Sequence, residues 1–415
     1  MERSDHFWYI HLTRNSRANG LSMTELLDDR PHTAGGVRIL IIGVGCFDGG
    51  RLSPIPGVRD TVARLADWWM NADKRLLGGA TVTSVDVLLS AEAGDVSLKG
   101  KSGRAIAVER ARHVGVKAAM RRWCRESTGP LAVLHWVGHG AIVGQAHPML
   151  LQALYCEDQA DDEGTHQAGF EWGMVCRGID AESKAGRVVC FVDTCRTVLN
   201  PPDGEDYQSP FDSHRRQRHR TLVYYATEVG EATYAIGKGS ALAAEFDGGT
   251  FMSEAARMAL DRFGAVTKDS EIGPAAYPSH VLEAMQCRIK RWRGRVKTPE
   301  GGMPKIARDS YVGEEEPIVR VPQPMSMVDL RLRAPYRYDA ASCRLVSGTS
   351  HNAPHKGKSY WEADLEHGDW EAHVDFNGWW PGRRLPSLKG CCFSVNLPHK
   401  IQTIPPTGAR KEVGS

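Results

Sequence analysis

No stretch of the 415 residues approaches the roughly 18 consecutive apolar residues that cross a bilayer as a helix. A helical membrane protein is therefore excluded. The opening "MERSDHFWYIHLTRNS" has neither an apolar core of about 7–15 residues nor a small-residue cleavage site, so no secretory signal is expected there. Charge of one sign is also missing. The net charge is +2 with 25% charged residues, so no global excess draws the chain to nucleic acid, and any basic patch must be local. There are no internal repeats. The 10 cysteines form no regular framework: Cys46, Cys190 and Cys195 follow strand-like runs and Cys124 closes a helix-like one. Reduced thiols in a cytoplasmic protein are expected rather than five disulfides.

What is present is a change of period along the chain. Residues 1–36 are polar and aperiodic, an N-terminal extension. "VRILIIG" (37–43) reads as a buried strand, and Val58, Val62, Leu65, Ala66 and Trp69 recur at helical spacing. "TVTSVDVLL" (81–89) is a second strand. Ile106, Val108, Ala111, Val114, Ala118 and Met120 predict a helix over 104–124. "LAVLHWVGHG" (131–140), "RVVCFVD" (187–193) and "TLVYYAT" (221–227) continue the strands, and "TFMSEAARMALDRF" (250–263) reads as a helix. Such alternation predicts an α/β domain over 37–297, a mainly parallel sheet flanked by helices. Residues 298–326, rich in Pro, Gly and charge, read as a linker. From 327 to 415 the period becomes two: Val328, Leu330 and Leu332 alternate with charged residues, as do Trp370, Ala372, Val374 and Phe376. A small antiparallel β domain of sandwich type is expected there.

In an open parallel sheet, functional groups collect beyond the carboxyl ends of the strands. Two strands end on chemistry: one on Gly138-His139-Gly140, the other on Asp193-Thr194-Cys195. A lone cysteine at a strand end is most often a small buried hydrophobe. Beside a histidine it becomes a candidate nucleophile, because an unperturbed thiol is only a few per cent ionised at neutral pH and needs a base. His139 would supply that base and return the proton to a leaving amine. Glycines on both sides of it admit a substrate carbonyl close to the backbone. The amides of Gly140 and Cys195 would then face a developing oxyanion, an effect of roughly a hundredfold in rate per donor.

"HWVGHG" followed by "FVDTCRT" resembles the paired blocks of caspase-like cysteine peptidases, the superfamily of caspases, metacaspases and bacterial caspase-fold proteases. In caspases the histidine lies about 50 residues before the cysteine; here the separation is 56. "RILIIGVGCFDGGRLSPIPGVRDTVARLADWW" and "YYATEVGEATYA" with "GGTFMSEAARMAL" extend the likeness over about residues 37–265. Caspases proper carry a different pentapeptide at the cysteine, and "VDTCR" lies nearer the Asp-Ser-Cys pattern of metacaspases. The resemblance implies a regulated cysteine endopeptidase with a protein substrate, in a bacterial defence or cell-death pathway. It further implies that Asp193 lines a pocket for arginine or lysine, with Glu228 or Glu231 adding negative charge. A non-catalytic scaffold or sensor of the same fold is the alternative. The loop "LNPPDGEDYQSPFDSHRRQRHR" carries Arg215, Arg216, Arg218 and Arg220, residues such a pocket would accept in autoprocessing; a solvated loop is the plainer reading.

Other signals carry less. "GVGCFDGG" follows a strand but lacks dinucleotide-binding spacing. No cofactor is expected; the five acids from Glu157 to Glu163 offer oxygens that suit calcium, but without EF-hand spacing they read as a solvated loop. His351, His355, Cys343, Cys391, Cys392 and His399 match no zinc signature. "QCRIKRWRGRVK" (286–297) sets six basic residues around Trp292, read as a solvated helix face rather than a nucleic-acid surface. Trp361 and Trp370 fit the inward register, whereas "NGWWPG" reads as an exposed turn. The β domain is accordingly expected to bind an activating partner or a substrate.

Overall fold

The computed structural model describes residues 24–26, 35–48, 52–91, 96–99, 105–143, 151–158, 167–199, 206–211, 221–229, 231–233, 235–242, 245–293, 295–296, 307–308, 316–332, 341–347, 350–352, 354–356, 360–376, 379–380, 383–384, 388–395 and 399–404. The loop bearing Arg215, Arg216, Arg218 and Arg220 lies outside them, as does most of the 1–36 extension. The chain divides into two compact units, Met1–Arg257 with Ile289–Glu314, and Met258–Arg288 with Glu315–Ser415.

The first unit is built on near-continuous apolar runs, the signature of strands buried on both faces. In chain order its elements are β1 (Thr24–Glu25), β2 (Val37–Val44), α1 (Val58–Met70), β3 (Val82–Ser90), β4 (Val96–Lys99), β5 (Ala105–Val108), α2 (His113–Glu126) and β6 (Leu131–Val137). They continue with β7 (Gly140–Val143), β8 (Leu151–Leu154), β9 (Gln167–Glu171), α3 (Trp172–Glu182), β10 (Arg187–Asp193), β11 (Val198–Leu199), β12 (Asp206–Gln208) and β13 (Thr221–Tyr225). After these come α4 (Phe251–Met258) and α5 (Pro278–Arg293), the latter cut by the division between units. The main sheet has the order β1-β3-β2-β6-β10-β13, closed by a short strand Ala307–Arg308. From β3 to β13 neighbours run parallel, and only the two edge strands are antiparallel.

The two faces of this sheet have different partners. Leu40, Ile42, Leu134, Trp136, Cys190 and Val192 point with α2 and α3 into one core, filled by Met120, Trp123, Val175 and Ile179. On the other face, His135, Phe191 and Tyr224 occupy one rung of β6, β10 and β13. Their rings stack at 4.8 and 5.1 Å. The indole N–H of Trp69 on α1 donates to His135 Nε2 at 2.8 Å. His135 is thus a packing histidine. Burial holds its pKa down at about 3.

The segment read as the start of a helix at 104 is a strand. Ile106 and Val108 of β5 are buried while Ala105 and Ala107 are exposed, a period of two, and the strand pairs antiparallel with β4. The helix begins only at His113. α1 starts where Gly57 takes φ +76°; a Cβ there would lie 2.3 Å from the Gly249 nitrogen.

The second unit contains two four-stranded sheets. One has the order His355–Lys356, Trp361–Glu366, Met325–Leu332, His399–Ile404; the other Ser350–Asn352, Ala341–Ser347, Gly368–Phe376, Leu388–Val395. Val328, Leu330, Trp361 and Leu365 from the first meet Leu345, Trp370, Val374 and Phe393 from the second in one core. The expected sandwich is present, with one departure from a purely antiparallel arrangement. Met325–Leu332 and His399–Ile404 run parallel, the chain crossing from Leu388–Val395 in the other sheet to reach this last strand. Trp379 and Trp380 pair with Arg384 and Arg383 in a separate short hairpin.

Candidate active site

The parallel rungs of β6 and β10 end together, with Val137 opposite Asp193, and the Gly138 amide donates to the Asp193 carbonyl at 3.1 Å. The chains then leave the sheet side by side and pair again. β7 and β11 are parallel with Ile142 opposite Val198, and the Ile142 amide donates to the Thr197 carbonyl at 2.9 Å. Between the two paired rungs run Gly138–Ala141 on one side and Thr194–Thr197 on the other, four residues each. His139 and Cys195 each sit second in their span. The backbone ladder thus holds the imidazole and the thiol at matched positions on adjacent strands, although 56 residues separate them in sequence.

Gly140 opens β7 opposite Leu154, while Tyr155 N–H donates to the His139 carbonyl on the β8 side. Amides alternate between the edges of a strand. Since Ile142 N–H points to the chain leaving β10, the amide of Gly140, two residues back, lies on that same edge and faces the Cys195 segment.

The imidazole is oriented from the other direction. Its Nε2 lies 2.8 Å from the Ser53 carbonyl, and the Phe47 ring packs at 5.0 Å. A carbonyl only accepts, so neutral His139 carries its proton on Nε2 and presents Nδ1 as a base. Pro54 follows Ser53 and disfavours a helical conformation there. Burial pushes the imidazole below its ordinary value, and the Ser53 contact opposes this. Burial pushes the half-buried Cys195 thiol up, and the Asp193 carboxylate adds to the rise. The thiol's weak partner is the Thr233 carbonyl at 3.9 Å. At neutral pH the pair rests as neutral thiol and neutral imidazole, each hydrogen-bonded to a backbone carbonyl rather than to the other.

Asp193 is 1% exposed. Its Oδ2 accepts from the Ser253 amide at 2.9 Å and hydroxyl at 2.7 Å, and Oδ1 from the Thr233 hydroxyl at 3.3 Å. It therefore caps the first turn of α4, where a negative group is favoured. Burial nevertheless raises its pKa against these donors. Glu228 is exposed and Glu231 half-buried. The Glu231 carbonyl accepts the Arg196 amide at 2.9 Å, and the Arg196 guanidinium lies 4.2 Å over Tyr225. The loop after β13 is thereby fastened to the chain next to Cys195.

Sequence reasoning missed Ser53, Thr233 and Ser253, small polar residues with no pattern of their own. It also missed the place of Glu157, grouped with a solvated acidic run. Glu157 is buried and paired with Arg110, whose Nε lies 2.6 and 2.8 Å from its oxygens, and it accepts from the Ser90 hydroxyl at 2.7 Å. Asp158 accepts the His113 amide at 2.7 Å; Asp161, Asp162 and Glu163 lie outside the described residues. Among the described residues, no group of three or more His, Cys, Asp or Glu is placed to hold a metal.

The expected solvated face around Trp292 is corrected in part: Lys290 and Arg293 are exposed, but the rest of the expectation fails. Trp292 is buried against Phe246 and donates to Glu245 at 2.6 Å, and Arg291 is buried. No helix among the described residues is long and apolar enough to cross a membrane.

No protein-family model matches this chain, and no curated protein matches it. Among solved structures, the chain is similar to caspase-1 from Spodoptera frugiperda, with a TM-score of 0.41 and 11% identity over 76% of this chain and 98% of that one.

Proposed function

We propose that the protein is a cysteine endopeptidase in which Cys195 is the nucleophile and His139 the general base and acid. The observation that supports this reading is the pair of four-residue spans, clamped at both ends by paired strands, in which His139 and Cys195 each hold the second position. Sulfur attacks the peptide carbonyl carbon as its proton passes to His139 Nδ1, catalytic hydrogen bonds often closing only in the substrate complex. The oxyanion is received by the amides of Gly140 and Cys195. The protonated imidazole then delivers the proton to the departing amine, leaving a thioester that water, deprotonated by the same Nδ1, hydrolyses. The Ser53 carbonyl keeps Nδ1 as the basic nitrogen and stabilises the imidazolium in between.

A preference for arginine or lysine before the scissile bond is part of the proposal. Asp193 would supply the charge, a substrate guanidinium joining or replacing the Ser253 and Thr233 donors. The segment with Arg215, Arg216, Arg218 and Arg220 would be an internal substrate, the β-sandwich would bind an activating partner, and the output would be cleavage of one protein in a defence or cell-death response. The non-catalytic scaffold has one supporting observation, the lack of a hydrogen bond between thiol and imidazole in the resting structure.

Peptide-library profiling separates the two readings. The native protein is expected to cut after basic residues, Cys195→Ala to cut nothing, and Asp193→Asn to lose the basic preference. Equal turnover by native protein and Cys195→Ala would overturn the proposal, and cleavage after aspartate alone would overturn the specificity. Intact mass of both proteins tests internal processing: a native chain that stays whole while it cuts peptides removes that part.

A further inference from the structure

The second unit contains a thiol that the peptidase chemistry does not use. Cys287 lies on the part of α5 belonging to this unit, near its basic end. Asp329 belongs to the strand Met325–Leu332, whose Val328 and Leu330 point into the sandwich core, so alternation turns Asp329 to the other face of its sheet, where it is still buried. His399 opens the neighbouring strand His399–Ile404 opposite Met327, two residues before Asp329 in the parallel register. Its Nε2 lies 3.1 Å from Asp329 Oδ2, and the Cys287 side chain hydrogen-bonds the same imidazole. Three segments far apart in sequence thus place a carboxylate, an imidazole and a sulfur in one chain of contacts.

This grouping differs from packing chemistry. The cysteines that only fill space here, Cys124, Cys156 and Cys190, are buried, and burial pushes their thiols up. Cys287 is half-buried, and the His399 side chain is 20% exposed. Asp329, then Cys287, hold the His399 pKa up at about 9 against burial, so the ring is a cation at neutral pH. An imidazolium beside a sulfur is the environment in which thiols act as nucleophiles.

We propose that Cys287 is a thiol-modification site, a nucleophile served by His399 and positioned through Asp329, that takes low-molecular-weight disulfides. The sulfur of Cys287 gives up its proton to solvent and attacks, beside the His399 cation, one sulfur of the disulfide RS–SR. A Cys287–S–S–R bond forms as the original S–S bond breaks, and the departing RS⁻ takes a proton from His399 and leaves as RSH, the imidazole regaining its proton from water. Cys287 is oxidised and the small disulfide reduced, with two electrons exchanged and no further reagent required. Asp329 is a positioning residue that keeps the ring turned and charged.

The test uses the reduced full-length protein with oxidised glutathione at pH 7, sampled over time and mapped by mass spectrometry without reductant. Cys176 and Cys343, also half-buried, serve as internal references. In the native protein the Cys287 adduct is expected to form at least about tenfold faster than theirs. His399→Gln is expected to bring Cys287 down to the reference rate while leaving the references unmoved, and Asp329→Asn to fall between. A Cys287 rate no greater than the references in the native protein would overturn the proposal whatever the variants do. A fast rate unaltered by His399→Gln would overturn the role of the imidazole.

Discussion

His135 offers a sharp test of the packing that aligns the site, since it lies on β6 four residues before His139. Its ring is buried between Phe191 and Trp69, with Nε2 accepting the indole N–H. Burial lowers its pKa from an ordinary 6.5 to about 3. A histidine whose folded pKa is lowered contributes its full stability above the unfolded value and loses it as pH falls, because the unfolded chain takes up a proton that the folded one refuses. Between pH 6.5 and 3 the loss approaches about 1.4 kcal/mol per pH unit, which integrates to about 2 kcal/mol between pH 7 and pH 5. His135→Phe removes this dependence while retaining an aromatic ring in the stack. It also strands the Trp69 N–H, at a pH-independent cost of about 1–3 kcal/mol. Urea midpoints of both proteins at pH 7 and pH 5 measure the gap. The native advantage at pH 7 is expected to shrink by about 2 kcal/mol at pH 5, and the His135 ring resonance in a histidine-labelled sample to stay unshifted over that range. An unchanged gap, or a resonance titrating near pH 6.5, would refute the reasoning.

Three further outcomes are expected. Alkylation of Cys195 by iodoacetamide is expected to rise tenfold per pH unit through neutrality and level off only above the usual thiol pKa of about 8.5; a plateau by pH 7 would mean a pre-formed thiolate. Gly57→Ala forces a side chain into φ +76° and against the Gly249 backbone, so it is expected to destabilise the first unit by at least about 1–3 kcal/mol, visible as a lower thermal midpoint. Glu157→Gln leaves Arg110 without its carboxylate and is expected to cost about 3 kcal/mol in denaturant titration; a loss below about 0.5 kcal/mol, the range of ordinary surface substitutions, would show the pair to be dispensable.

Much of this architecture is written in local pattern, and the limits of pattern are equally local. Runs such as "VRILIIG" and "RVVCFVD" leave little choice but a buried strand, and glycine or a polar residue marks where each one stops. The stretch from Ile106 to Val114 was ambiguous because its apolar residues satisfy both a helical and an alternating spacing. Burial decides: Val114 is 55% exposed, and the inner face of α2 is Val116, Ala119, Met120 and Trp123. His139 and Cys195 were legible because each ends a strand that is itself legible. Ser53, Thr233 and Ser253 were not, since a backbone carbonyl or a single hydroxyl becomes functional only through what the fold brings opposite it. The same holds for Glu157, whose neighbours in sequence suggested solvent while its neighbours in space include Arg110 and Ser90. Cys287, Asp329 and His399 are the extreme case, drawn from a helix and two strands.

The parallel pairing of β13 with β10, from Val188 opposite Thr221 to Val192 opposite Tyr225, determines what a nick in the intervening chain would do. A cut between residues 212 and 220 yields an upstream piece that retains His139 and Cys195 and a downstream piece that begins with an interior strand of the main sheet. Neither piece buries its share of that sheet alone, so the halves should co-elute as one particle under native conditions and come apart only in denaturant. Proteolysis there would consequently produce a two-chain protein of unchanged native size, to be recognised by denaturing electrophoresis rather than by gel filtration.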